Sequence, residues 1–266
     1  MLAEARLSSR VDLLEGLTTL EDDVRVFAGG EGVRRLGRTE RRKVENAFAA
    51  YLDTIPESKK FDRDLFYEVR DVVGRSGFGI GSAGLPAYNI LVEGYSQSLD
   101  NDVVLSMKQA NVPAVSRFVD TDDVEGYFEH EGHRTVVSQR ALQVHTDPLL
   151  GHTSLDGRGF VVSEVSPYEL DLDWSDLNEP DEMALVVESL GRASAKVHCA
   201  SDEDSDQDLV EFQVENAIAD VLDGRRDEFT ADIVDFGIDY AGRVRRDHAL
   251  FVSAFREGEI GGVTAT

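Results

Sequence analysis

The sequence predicts an α+β chain, a small antiparallel sheet flanked by helical regions on either side in the sequence. Three observations predict it. Apolar residues recur at spacings of three and four before residue 70 and after residue 180, the period of a helix with one covered face. Between them lie short runs of β-formers separated by polar turns, the signature of antiparallel strands. A glycine cluster, Gly79-x-Gly81-x-x-Gly84, falls inside that β-rich segment. The expected division is therefore a helical segment over 1–70, a β-rich lobe with one helix over 71–180, and a helical region over 181–266.

In order along the chain, "RRKVENAFAAYLDTI" places Val44, Phe48, Tyr51, Leu52 and Ile55 on one helical face, and Pro56 ends it. The preceding "GGEGVRRLGRTERR", rich in glycine and arginine, reads as an exposed connection. Next, "AYNILVEG" and "DVVLSMKQA" form a hairpin across the polar "YSQSLDN". A helix is expected around "HRTVVSQRALQVH", then a third β-type run in "GFVVSEV". Pro180 and Asp181 start a helix with Met183, Val186, Val187, Leu190 and Val197 as its apolar side. The last helix carries Phe229, Ile233, Phe236, Tyr240, Val244, Phe251 and Phe255 at spacings mostly of three or four.

Charge and cysteine usage exclude several classes. The 52 acids against 27 bases give a formal charge of -25, a field that repels nucleic-acid backbones and anionic membranes. Its bases are mostly arginine; the lysines are Lys43, Lys59, Lys60, Lys108 and Lys196. An acidic, lysine-poor surface suits a salt-rich, halophilic cytoplasm, because in molar salt the Debye length falls to about 3 Å and the repulsion is screened. Cys199 is the only cysteine, which excludes an internal disulfide and a thiolate zinc site. No run of about 18 apolar residues occurs, and the acidic opening "MLAEARLSSRVDLLEG" is not a signal peptide. A cytoplasmic location is expected.

The glycine pattern serves two kinds of nucleotide site. In a dinucleotide fold, as in an NAD-dependent oxidoreductase, a helix follows the third glycine and presents its N-terminus to the pyrophosphate. Here "AYNILVEG" follows and is rich in β-formers. A glycine loop between two strands is how protein-kinase-like folds cover ATP phosphates, and such folds add a lysine from the neighbouring strand. Lys108 stands in the second arm of the hairpin, in alternation with Val104 and Ser106. Gly79, Gly81, Ser82 and Gly84 are thus expected to cradle phosphates, Lys108 to pair with them, and the strand end at Glu164 and Val165 to offer backbone groups to adenine.

The runs "VVGRSGFGIGSAGLPAYNILVEG", "LSMKQA", "GHRTVVSQRALQVHTDPLLG", "GRGFVVSEV", "SAKVHCAS" and "FGIDYAGRVRRDHALFVSAFREGEI" resemble, in that order, the latter part of the prokaryotic family called domain of unknown function 2252. That family looks like a rearranged protein-kinase-like or aminoglycoside-phosphotransferase-like fold, and the resemblance covers roughly residues 70 to 262. It implies that the three glycines match the family's glycine loop, Lys108 the lysine of its "KEA" segment, Gln139 and Arg140 its "GQR", and His198 the His of its "ARAHA" helix. Two positions depart. Val137 stands where the family usually has a Glu able to partner the lysine, and "SPYELDLDW" replaces a basic segment after the third strand.

The family's catalytic-loop and metal-binding motifs precede its glycine loop, and residues 1 to 76 contain neither. The resemblance therefore implies ATP as the bound cofactor, with Mg²⁺ held by residues outside this chain, an incomplete kinase-like unit, and no catalytic or metal-binding residue here. A separately encoded N-terminal half is the partner this implies. The alternative is a non-catalytic nucleotide-binding or partner-completing half-domain.

Other motifs read as decoys. Asp235-Phe236-Gly237 spells a kinase magnesium motif, but Phe236 falls on the apolar side of the last helix. Asp173 and Asn178 have a catalytic-loop interval but follow the third strand directly. His130-Glu131-Gly132-His133 lacks both the i, i+4 spacing and a third ligand of a zinc site, and reads as a solvated turn before a helix. His198 reads as a packing histidine.

Overall fold

The computed structural model describes residues 7–60, 66–76, 84–96, 98–119, 126–204 and 210–260. Two compact units divide it, Met1–Ala200 and Ser201–Thr266. The first holds helices α1 (Arg10–Leu17), α2 (Arg38–Tyr51), α3 (Glu131–Leu142) and α4 (Pro180–His198) with the eight strands of the described residues. The second holds α5 (Val214–Leu222) and α6 (Arg226–Arg256). The architecture is mixed α+β with antiparallel sheets, as the sequence predicts.

The chain's first 70 residues are not helical throughout. Thr18–Glu21 and Val24–Phe27 pair as a two-stranded sheet, β1 and β2, turned by Asp22 and Asp23 at φ 48° and 62°. Aspartate is among the few residues that tolerate this left-handed pair, which a tight hairpin requires. The arginine-rich stretch also departs from the loop expected of it. Val33–Arg35 forms β3 at the edge of the main sheet, and α2 begins at Arg38. Three of its five arginines are anchored: Arg34 grips Glu40 at 2.8 and 2.7 Å, while Arg35 and Arg41 both donate to Asp71, at 2.6 and 3.1 Å.

The main sheet contains β3, β4 (Val69–Arg75), β5 (Ala87–Val92), β6 (Val103–Gln109), β7 (Gly151–Leu155) and β8 (Arg158–Glu164), in the order β3-β4-β5-β6-β8-β7. Every neighbouring pair is antiparallel. Its two faces are covered differently, as the pleat dictates. On one, α2 packs Val44, Phe48 and Tyr51 with Val72, Tyr88, Ile90, Leu105, Met107, Phe160 and Val162. On the other, Leu14 of α1 and Phe27 of β2 cover Val73, Leu91 and Val104. That second cover stops short of one end of β6 and β8, where polar residues take over.

Candidate functional site

At that end β6 and β8 carry Ser106, Lys108, Val161 and Ser163 on one face. Ser106 pairs with Ser163 and Lys108 with Val161 across the two strands. Thr135 and Gln139 of α3 face them, and with Gln109, Ala110 and Asn111 these residues line a groove of about 360 Å³. This lies near the lower end of the range for small-ligand pockets. α3 is tied to the rim by Arg134, whose guanidinium donates to the Asn111 carbonyl at 3.0 Å.

Two features give this groove chemical character. Ser106 is buried, 8% exposed, and its Oγ finds no hydrogen-bond partner among the described residues. A buried hydroxyl left unpaired costs free energy that a bound ligand or water recovers. Lys108, by contrast, is exposed at the groove's mouth.

The expected phosphate site meets this groove at one point. β4 and β5 pair with Arg75 opposite Ala87, so the chain leaves the sheet at one and re-enters at the other. Ala87 is itself the register partner of Lys108 on β6. Of the cradle residues, Gly84 is described, at φ 77°, a conformation that favours glycine. Gly79, Gly81 and Ser82 lie outside the described residues. Ala87 opens a strand and not a helix, so no helix N-terminus follows Gly84 to receive a pyrophosphate.

The adenine segment is more restricted than expected. The Glu164 N–H donates to Asp147 Oδ2 at 2.6 Å, and the Val165 N–H donates to the Val104 carbonyl at 2.8 Å. Both donors are engaged within the chain. The Glu164 carboxylate pairs with Arg10 at 2.8 Å; burial nonetheless pushes its pKa up against that cation. Of the other residues carried by the resemblance, Gln139 lines the groove. Arg140 is structural, donating to the carbonyls of Leu150 at 2.7 Å and Thr54 at 3.3 Å. His198 ends α4 and is exposed.

The histidine motif opens a helix, as the sequence predicts. His130 is the N-cap of α3, its Nδ1 accepting the His133 N–H at 3.1 Å. Against these two lies His152 of β7, with ring centroids 5.2 Å from His130 and 4.6 Å from His133. Burial, followed by the other two rings, pushes the His152 pKa down to about 4, and burial lowers His130 as well. His152 comes from a strand that no local pattern links to the motif.

Fold and site together define the class: a mixed α+β chain with a hydroxyl- and lysine-lined groove between its main sheet and one short helix. The chain belongs to the family described as "Uncharacterized protein conserved in bacteria (DUF2252)", whose model matches residues 1–254. The match takes in the first 70 residues, ahead of the stretch whose motifs carry the resemblance. No curated protein and no solved structure matches the chain. Among the described residues, no helix is long and apolar enough to cross a membrane.

Proposed function

We propose that this chain binds ATP in the manner of a kinase-like, phosphotransferase-type protein. In this reading Gly79, Gly81, Ser82 and Gly84 enclose the phosphates, and Lys108 neutralises them. The observation that carries it is the register of Ala87 against Lys108. It sets the lysine beside the point where the glycine segment rejoins the sheet, within the few ångströms that separate cross-strand neighbours. The unpaired Ser106 hydroxyl supplies a further polar contact deeper in the groove.

The same geometry narrows the reading. With Val137 in place of a glutamate, Thr135 and Gln139 are the α3 groups that line the lysine's groove, and both are neutral. Any adenine contact at Glu164 and Val165 falls to carbonyl oxygens, because both N–H groups are engaged. The strand at Ala87 weighs against the dinucleotide alternative. The reading is of binding; no catalytic residue is assigned.

Titration of the full chain with ATP and Mg²⁺ in high salt tests it. Saturable binding, weakened about tenfold or more in Lys108→Ala, is expected from the loss of one charge-assisted contact worth about 1.5–3 kcal/mol. Absence of binding by the intact chain, or equal binding by the variant, overturns it.

A second reading, a domain that completes a partner's fold, is favoured by a different observation. Met183, Val187 and Leu190 on α4 are 41%, 57% and 49% exposed, although they follow a helical period. Co-expression with a neighbouring Asp-rich reading frame should then yield a stable complex; a chain that remains monodisperse and ignores that product counts against this reading.

A further inference from the structure

The junction of α3 with the strands β7 and β8 is built at unusually close range. A Cβ on Gly132 would lie 2.4 Å from the Phe160 carbonyl oxygen, and one on Gly159 would lie 2.6 Å from both the Gly132 nitrogen and His130 Nδ1. Two glycines therefore let the first turn of the helix rest directly on β8. The consequence is that His130, at the helix start, reaches across to His152 on the adjoining edge strand. Glu129 is next to His130 in the chain, and one ligating atom from each of Glu129, His130 and His152 lies within 4.8 Å of the others.

Two imidazoles and a carboxylate converging at this distance form a donor set for a borderline divalent cation. Imidazole nitrogen selects zinc and its neighbours over magnesium and calcium, and three protein donors leave a coordination position for water or a further ligand. The charge of -25 favours capture of a cation. His133 lies just outside the triad. Its ring stacks on His152 at 24°, and its Nδ1 accepts the Glu129 N–H at 3.2 Å. It thereby orients two of the three donors from behind, as partners surrounding a metal site do.

We propose that Glu129, His130 and His152 form a binding site for a divalent transition-metal cation of the zinc class, separate from the lysine groove, with His133 as a positioning residue. Binding carries a structural consequence. His130 Nδ1 accepts the His133 N–H, so the neutral ring carries its proton on Nε2. Ligation through Nδ1 displaces that hydrogen bond directly. Ligation through Nε2 moves the proton to Nδ1 and leaves it facing the N–H. Either way, the α3 cap is released when the cation arrives, and the His133 backbone amide reports it.

The test is calorimetric titration of the full chain with zinc chloride in excess Mg²⁺, which occupies the acidic surface. One saturable equivalent is expected. Loss of a ligand should weaken it by about 100-fold or more in His152→Ala, while His133→Ala weakens it about tenfold. The His133 amide resonance should shift on zinc addition. Glu129→Gln, an exposed change that leaves the packed rings in place, should also weaken binding and decides the matter if His152→Ala does not fold. Zinc uptake that is non-saturable under Mg²⁺, or one equivalent bound equally well by His152→Ala and Glu129→Gln, overturns the proposal.

Discussion

Helices α2 and α6 carry the same kind of pattern and meet different ends. α2 has 14 residues and buries Val44, Ala47, Phe48 and Tyr51 against the sheet. α6 has 31 residues and buries none. Phe229, Ile233, Phe236 and Tyr240 recur at spacings of three and four, yet each is about half exposed or more. Phe236 and Tyr240 stack on each other, with centroids 5.5 Å apart, which covers one face of each ring. Periodicity in a sequence marks a face that gains from cover. It does not say what supplies the cover.

A matched pair of truncations breaks or sharpens this contrast most strongly. Phe48 is 2% exposed and Phe236 is 63% exposed. Phe48→Ala should cost about 3–5 kcal/mol in urea unfolding, the range for emptying a packed aromatic site. Phe236→Ala should change stability by no more than about 0.5 kcal/mol. If the second cost approaches the first, α6 has a covering partner in solution, and a concentration-dependent unfolding midpoint should accompany it.

The next largest effect compares charges. Asp71 is buried and accepts from the Phe27 and Val72 backbone N–H groups and from Arg35 and Arg41. It joins β2, β3, β4 and α2 at one carboxylate. Asp71→Asn retains the shape but loses both charge-assisted bonds, and should cost about 2 kcal/mol. On α4, the pair Arg192 and Glu188 is largely exposed at both ends; Arg192→Ala should leave the unfolding curve unchanged.

These contrasts explain what was legible in the sequence. The period of α2 and the hairpin of β5 and β6 across "YSQSLDN" could be read because each element buries apolar residues at its own repeat. β1, β3 and β7 were not legible. They are three to five residues long, lie at sheet edges or in a two-stranded sheet, and bury two residues at most, so they leave almost no alternation to detect. Lys108 stands out in the sequence because the five residues before it in the strand are buried. The contact of His152 with His130 was not legible, since no local pattern links "GHTSL" to the histidine motif and the close packing at Gly132 and Gly159 brings the two together.

A finer effect than any of these truncations is a slope with pH, and it separates buried charge from solvated charge within the sheet unit. Asp102 is 2% exposed. The nearest guanidinium nitrogen, Arg25 Nε, is 3.6 Å away, beyond good hydrogen-bond distance. Burial therefore raises its pKa above the ordinary 3.8, with Arg25 and Arg70 opposing the shift. A carboxyl whose folded pKa is raised holds its proton more tightly when folded. The stability it contributes is present below the unfolded value and is lost as pH rises through the folded one. Asp102→Asn lacks that titration. Relative to the parent, the variant should therefore gain stability as pH rises from below 4, then stay level once Asp102 is ionised. Paired urea curves at pH 3.5, 5 and 7 measure the difference, in which the other titrating groups cancel. A parent that gains on the variant over the same interval would show that Arg25 and Arg70 outweigh burial, and that this charge is stabilised in the interior as fully as those on the exposed helices are in water.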